Sequence, residues 1–199
     1  MALVSAGFDL LLALSCVGAG VWLLRQGEPR LRYAALGMAL MAVAAGFGAL
    51  RYAGFEQLAG LHRGASRLAG GVTPPSVALV AAALCFGWQR LSLALGVLIA
   101  AALAIGVGLD VGLYATALGS VAVLVMLGLA LRERTRAALT LACGGLILAL
   151  AGLAIGSQGT LGPFARIDLF HLTLALAHLL MAGGLVGLTP EPRSTEIQS

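Results

Sequence analysis

The chain has 199 residues, of which 60% are hydrophobic and only 10% are charged. A soluble domain carries about 25% charged residues. This chain therefore cannot cover a water-facing surface, and most of its surface must face lipid. Its formal net charge is +4, and all 12 of its basic residues are arginine. The arginines form no basic face, so we expect no nucleic-acid partner.

Lysine is missing from the sequence. Retinal and pyridoxal phosphate are held through a Schiff base to a lysine amine, so both are excluded as cofactors. The three cysteines, Cys16, Cys85 and Cys143, lie singly in apolar segments. This pattern is typical of small core residues and not of a disulfide framework.

Apolar runs long enough to cross a bilayer recur along the chain. A membrane helix needs about 20 apolar residues. We predict seven transmembrane helices, at about 4–24, 31–52, 72–88, 91–107, 111–131, 137–156 and 168–188. The fourth and fifth come from one apolar run, which would be about 60 Å long as a single helix and therefore turns back near Asp110. The expected fold is an all-α bundle, a single transmembrane domain over residues 1–188.

Two segments outside the spans have a predicted place. Residues 54–69 carry apolar side chains at helical spacing, which indicates a short amphipathic helix on the outer surface. Pro74 and Pro75 follow, and we expect them to open the third helix, where missing amide donors do least harm. The tail, residues 189–199, is polar and is predicted to be disordered in the cytoplasm.

The arginines in short loops predict the orientation of the bundle, because such residues collect on the cytoplasmic side. With the N-terminus outside and the C-terminus in the cytoplasm, more of them fall inside than outside. The bias toward Ala, Gly, Leu and Arg is typical of a high-GC bacterial genome. We therefore expect a multi-pass protein of the bacterial inner membrane.

Four ionisable residues inside the predicted spans are the candidate functional residues, because such groups are costly at bilayer depth. Asp9 lies in the first helix, and Asp168, His171 and His178 lie in the last. His171 and His178 are two turns apart on one helical face, with Asp168 one turn before His171. Asp168 also fits a helix start near the positive end of the dipole, and each histidine fits a hydrogen bond to a neighbouring helix.

These residues favour a small-ligand-binding protein, or an accessory subunit of a membrane complex, with an Asp/His cluster near the outer side. Asp9, Asp168, His171 and His178 would bind the ligand or relay protons, and the cluster would form if the first and last helices are neighbours. Apart from the bilayer itself, the expected partners are other membrane subunits or a second copy of the chain.

The alternative is an intramembrane metal-dependent hydrolase acting on a lipid-like substrate. His171, His62 and Asp168, or Asp9 in place of Asp168, could hold Zn²⁺ and leave one position open for water. Haem is a weaker candidate, because two stacked haems would need further histidines on other helices.

Two short motifs carry a resemblance to a known group of proteins: Asp9-Leu10-Leu11-Leu12-Ala13 and Asp168-Leu169-Phe170-His171. With them the chain resembles a family of small bacterial seven-helix membrane proteins. The resemblance implies a seven-helix bundle over the whole chain and brings no activity with it. The architecture is also similar to the ceramidase and progestin-receptor superfamily, but the HxxxH of the last helix in that superfamily is absent here.

Overall fold

The fold is seen in a computed structural model that describes residues 2–88 and 111–189. Long helices make up most of this part, which confirms the predicted all-α class. They are α1 (Ala2–Arg25), α2 (Leu31–Tyr52), α3 (Ala59–Phe86), α4 (Val111–Glu133), α5 (Arg136–Leu150) and α6 (Arg166–Gly187). The helix predicted at 91–107 lies outside the described residues, as does nearly all of the tail.

Short elements join the helices. A single turn of 3-10 helix, Glu56–Leu58, precedes α3, and a π-helical turn, Ala151–Ile155, continues α5. A two-stranded antiparallel hairpin, β1 (Thr160–Leu161) and β2 (Phe164–Ala165), leads into α6.

Six helical segments of the described chain are long and apolar enough to cross a membrane. Large aliphatic side chains lie on their outer faces: Leu14 is 61% exposed and Leu124 is 67% exposed. The buried positions are held largely by alanine and other small residues. In lipid, small residues allow close helix contact while large apolar ones meet the hydrocarbon. This distribution of large apolar side chains outside and small residues inside is typical of a membrane protein.

The described helices form a closed ring. Each one packs against the next described helix along the chain, and α6 returns to pack against α1. The contact between α1 and α6 brings together the helices that carry Asp9 and His171.

The third helix differs from the prediction in its start. In place of a surface segment at 54–69 and a separate helix at 72–88, one continuous helix runs over Ala59–Phe86. Phe55 precedes α3, and of the predicted apolar residues within the helix Leu61 is exposed while Leu68 is half-buried. The packed face carries Ala69 and, half-buried, His62.

Pro74 and Pro75 lie inside this helix and do not open it. Each removes an amide donor from the helix, which by local propensity should end it. The neighbouring hydroxyls bind backbone oxygens instead: Thr73 Oγ1 donates to the carbonyl of Gly37 on α2 at 2.8 Å, and Ser76 Oγ donates to the carbonyl of Thr73 at 2.8 Å. The residues around both prolines are buried against neighbouring helices, and this packing, with the Thr73 bond to α2, outweighs the local propensity.

Candidate functional site

A cavity of about 330 Å³ lies inside the ring and is lined by residues from all six described helices. This volume is at the small end of the range of about 300–1,000 Å³ that is usual for ligand pockets. Most of the wall is apolar, with Leu12, Met41 and Phe170 among its larger members. The polar side chains of the wall are Asp9, His62, Ser66, Thr116, Ser120 and His171.

Asp9 and His171 face each other across the contact between α1 and α6. The distance between Asp9 Oδ1 and His171 Nδ1 is 3.0 Å. Neither atom has an aligned hydrogen-bond partner among the described residues, so the two are in contact without forming a well-directed hydrogen bond. Asp9 is 0% exposed, and its Oδ2 atom also lacks a partner. A buried carboxylate with free acceptors is costly unless something binds it.

Two further charged residues act on Asp9. Asp168, in the first turn of α6, and Arg51, in the last turn of α2, are its electrostatic neighbours. Asp168 is buried, and its Oδ1 atom has no hydrogen-bond partner among the described residues. Arg51 also lies 3.6 Å from the exposed carboxylate of Glu56, measured from Nε to Oε2. The structure thus brings Asp9 and His171 into contact and places Asp168 within electrostatic range of Asp9, although Asp168 does not line the cavity.

His62 lies on the same side of the cavity. Its Nδ1 is 3.0 Å from the carbonyl oxygen of Ala44 on α2, where it acts as the donor, and 3.5 Å from Ser66 Oγ. In the neutral ring Nε2 is then left as an acceptor. His62 therefore lines the cavity from the first turns of α3, which begins earlier in the sequence than predicted.

His178 stands apart from this group. It is 0% exposed, and its Nδ1 donates to the carbonyl of Leu174 one turn earlier at 2.7 Å. It does not line the cavity, and its Nε2 has no partner among the described residues. The hydrogen bond is to the helix that carries His178, and not to a neighbouring helix as the alternative interpretation of the sequence expected.

The described residues include no group of three or more His, Cys, Asp or Glu side chains that could hold a metal ion. The predicted zinc ligands His171, His62 and Asp168 are thus not arranged as a ligand set. A zinc site usually draws three or four protein ligands to within about 2.0–2.3 Å of one point.

Three residues near Asp9 and His62 have a place in the site that the sequence did not predict: Gly48, Arg51 and Ser66. Ser66 follows His62 by one helical turn, a spacing that has meaning only once this segment is known to be part of α3. Arg51 was counted only for orientation, and Gly48 carries no chemical signal. Their roles come from contacts between helices, which a linear pattern does not contain.

The comparisons with known proteins place the chain in a family without adding an activity. No curated protein and no solved structure matches it. Residues 4–190 match a family model described as a family of unknown function. Because this match covers most of the sequence, the chain belongs to the family of unknown function DUF6962.

Proposed function

We propose that the protein binds a small, mostly apolar molecule within the membrane, in the cavity between its helices. The observation that carries this proposal is the cavity of about 330 Å³ with Asp9 and His171 on its wall. Pockets for small molecules combine an apolar lining with a few polar groups that orient the ligand. The cavity has both features.

The polar groups support the proposal on energetic grounds. Asp9 has two carboxylate oxygens without hydrogen-bond partners among the described residues, although the side chain is fully buried. Leaving a buried polar group without a partner costs about 1–3 kcal/mol, and more when the group is charged. A ligand that donates to these oxygens would offset that cost, because Asp9 is part of the cavity wall.

We prefer ligand binding to the alternative of a zinc-dependent hydrolase. Hydrolysis at zinc requires three protein ligands and an open position for water. His171, His62 and Asp168 are not arranged in this way. The polar groups that the cavity does offer are suited to hydrogen bonding and ion pairing.

Topology and location form part of the same proposal. We propose seven spans, with the N-terminus outside and the C-terminus in the cytoplasm of a bacterial inner membrane. Six spans are accounted for by described helices. Asp9 and Asp168 lie near the starts of α1 and α6, and in this orientation both starts face outward. The ligand would then meet its polar contacts near the outer side of the membrane.

Two glycines on opposite faces of α4 provide a test. Gly119 lines the cavity, and a β-carbon there would meet nothing within 4 Å. Gly128 is exposed on the other side of the helix, and a β-carbon there would also meet nothing within 4 Å. Gly119→Phe would therefore fill the cavity, while Gly128→Phe would add the same ring to the outer surface.

Native mass spectrometry of the full-length protein, purified from its own membranes, measures small molecules that remain bound. We expect an added mass on the wild type and on Gly128→Phe, and its loss from Gly119→Phe. An added mass that persists in Gly119→Phe would contradict binding in this cavity. A wild-type protein without any added mass would favour the accessory role that the sequence also indicates.

A further inference from the structure

We infer that the molecule bound in the cavity is an apolar amine, held as its ammonium form by the carboxylate of Asp9. This inference rests on the proposed function and names the ligand class of the same site. It is carried by three observations: the charges around Asp9, the hydrogen-bonding groups on the wall, and the apolar remainder of the cavity.

The polar end of the cavity has more carboxyl groups than cationic side chains. Asp9 on α1 and Asp168 on α6 face one arginine, Arg51 on α2, which also contacts Glu56. The other titratable groups at this end are Tyr52, His62 and His171. A monovalent cation would balance the charge that Arg51 leaves uncompensated.

The wall offers acceptors to a ligand and no cationic group. Asp9 contributes two oxygens without a partner among the described residues. His62 donates its Nδ1 hydrogen to the carbonyl of Ala44, which leaves Nε2 as an acceptor. No arginine of the described chain lines the cavity. An ammonium group has three donors and no acceptor, so it complements the carboxylate of Asp9, which would repel a carboxylate or phosphate.

The apolar part of the cavity wall indicates what kind of group the rest of the ligand must be. Away from Asp9 the cavity is bounded by Leu12, Met41, Val123, Leu148, Phe170 and Leu174. A hydrocarbon or aryl group would be buried against these side chains, at about 25 cal/mol per Å² of apolar surface removed from water. The cavity volume of about 330 Å³ limits this body to a small one.

Three compounds with the same rigid hydrocarbon body test the inference: adamantylamine, adamantanol and adamantane carboxylate. Titration calorimetry measures their binding to the full-length protein in nanodiscs of zwitterionic lipid, with empty nanodiscs subtracted. The amine should bind about fivefold more tightly than the alcohol, because a charge-assisted hydrogen bond is roughly twice as strong as a neutral one. The carboxylate should show no binding above the empty nanodiscs.

Asp9→Asn removes the charge and keeps the size of the side chain. The amine should then bind no better than the alcohol, while alcohol binding stays unchanged and reports that the cavity is intact. The matched control is Glu28→Gln, which removes a carboxylate in the loop between α1 and α2 and should leave the preference for the amine unaltered.

The outcomes separate this inference from the proposed function. If the alcohol binds as tightly as the amine, or the carboxylate binds best, the cavity binds ligands but the assignment of an amine is overturned. If the preference for the amine survives in Asp9→Asn, Asp9 is not its partner and the inference is again overturned. If none of the three compounds binds to the wild type, both the inference and the proposed cavity function are contradicted.

Discussion

The backbone of Gly48 lies directly against the carboxyl group of Asp9: a β-carbon added at Gly48 would stand 2.8 Å from Cγ of Asp9. The same β-carbon would stand 2.9 Å from Cε1 of His62. Real β-carbons essentially never show contacts under 3.0 Å. A residue without a side chain is therefore needed for α2 to pack this closely against Asp9 and His62.

Gly48→Ala should disturb the polar end of the cavity. The added methyl group must push aside Asp9, which is fully buried, or His62, which is bonded to α2. Overpacking of this kind costs about 1–3 kcal/mol. We expect the free energy of unfolding, measured by SDS titration in mixed micelles, to fall by that amount.

Gly46→Ala is the matched control on the same helix. A β-carbon at Gly46 would meet nothing within 4 Å. Replacing a helical glycine by alanine in open space removes an entropic cost of roughly 0.5–1 kcal/mol. Gly46→Ala should therefore be neutral or stabilising. Equal effects of the two substitutions would show that the close approach at Gly48 is unimportant.

The all-α class and the membrane character could be predicted from the sequence, because both depend on composition and on the length of apolar runs. The second predicted helix, 31–52, and α2 (Leu31–Tyr52) have the same bounds. The start of α3 could not be predicted in this way. Pro74 and Pro75 act locally to end a helix, whereas the contacts that sustain it come from α2 and from Thr73.

Part of the candidate site could be predicted from the sequence. Asp9, Asp168 and His171 stand out as ionisable residues in apolar segments, and the spacing of Asp168 and His171 follows from the helical repeat. The approach of Asp9 to His171 depends on how α6 closes the ring on α1, which no spacing along the chain encodes. Gly48 has a place in the site only because it lacks a side chain.

Asp9 and His171 should be energetically coupled. Residues in contact show interaction energies of about 0.5–3 kcal/mol in double-mutant cycles, and these two are 3.0 Å apart. We expect the unfolding free energies of Asp9→Asn, His171→Phe and the double variant to depart from additivity by at least about 0.5 kcal/mol.

A second cycle supplies the control. His178 lies on the same helix as His171, about 10 Å further along its axis, and is bonded to Leu174. Asp9→Asn and His178→Phe should be additive within about 0.5 kcal/mol. Additivity in the first cycle, or coupling of equal size in both, would contradict a specific contact between Asp9 and His171.

Gly184 allows the backbones of α5 and α6 to pack in direct contact. A β-carbon there would stand 2.7 Å from the backbone nitrogen of Leu141 and 2.8 Å from its Cα. Backbone atoms cannot rotate away, so Gly184→Ala must separate the helices, at a cost of about 1–3 kcal/mol. SDS titration should show this loss in the free energy of unfolding.

The neighbouring glycine has a different environment. A β-carbon at Gly183 would stand 3.6 Å from Cη2 of Trp22, an ordinary van der Waals contact. Gly183→Ala should therefore leave stability unchanged or raise it by up to about 1 kcal/mol. If Gly183→Ala were as harmful as Gly184→Ala, close contact with the backbone of Leu141 could not explain the loss at Gly184.

The loop between α1 and α2 should make stability depend on pH. Arg30 Nε donates to Glu28 Oε1 at 2.7 Å, and Arg30 Nη2 donates to Glu28 Oε2 at 3.1 Å. These side-chain hydrogen bonds hold the pKa of Glu28 below its ordinary value of 4.5 in the folded protein. The resulting stabilisation is complete above pH 4.5 and is lost as the pH falls through the folded-state pKa of Glu28.

Glu28→Gln should abolish this dependence. Because the pair is partly exposed and screened by solvent, we expect the variant to be less stable than the wild type by at most about 1 kcal/mol above pH 4.5. The gap between the two unfolding free energies should narrow in acid, since protonated Glu28 no longer pairs with Arg30. In an Arg30→Gln background, which also lacks the bond to the carbonyl of Ala83, Glu28→Gln should have little effect. A gap that stays constant or widens below pH 4.5 would rule out this ion pair as its source.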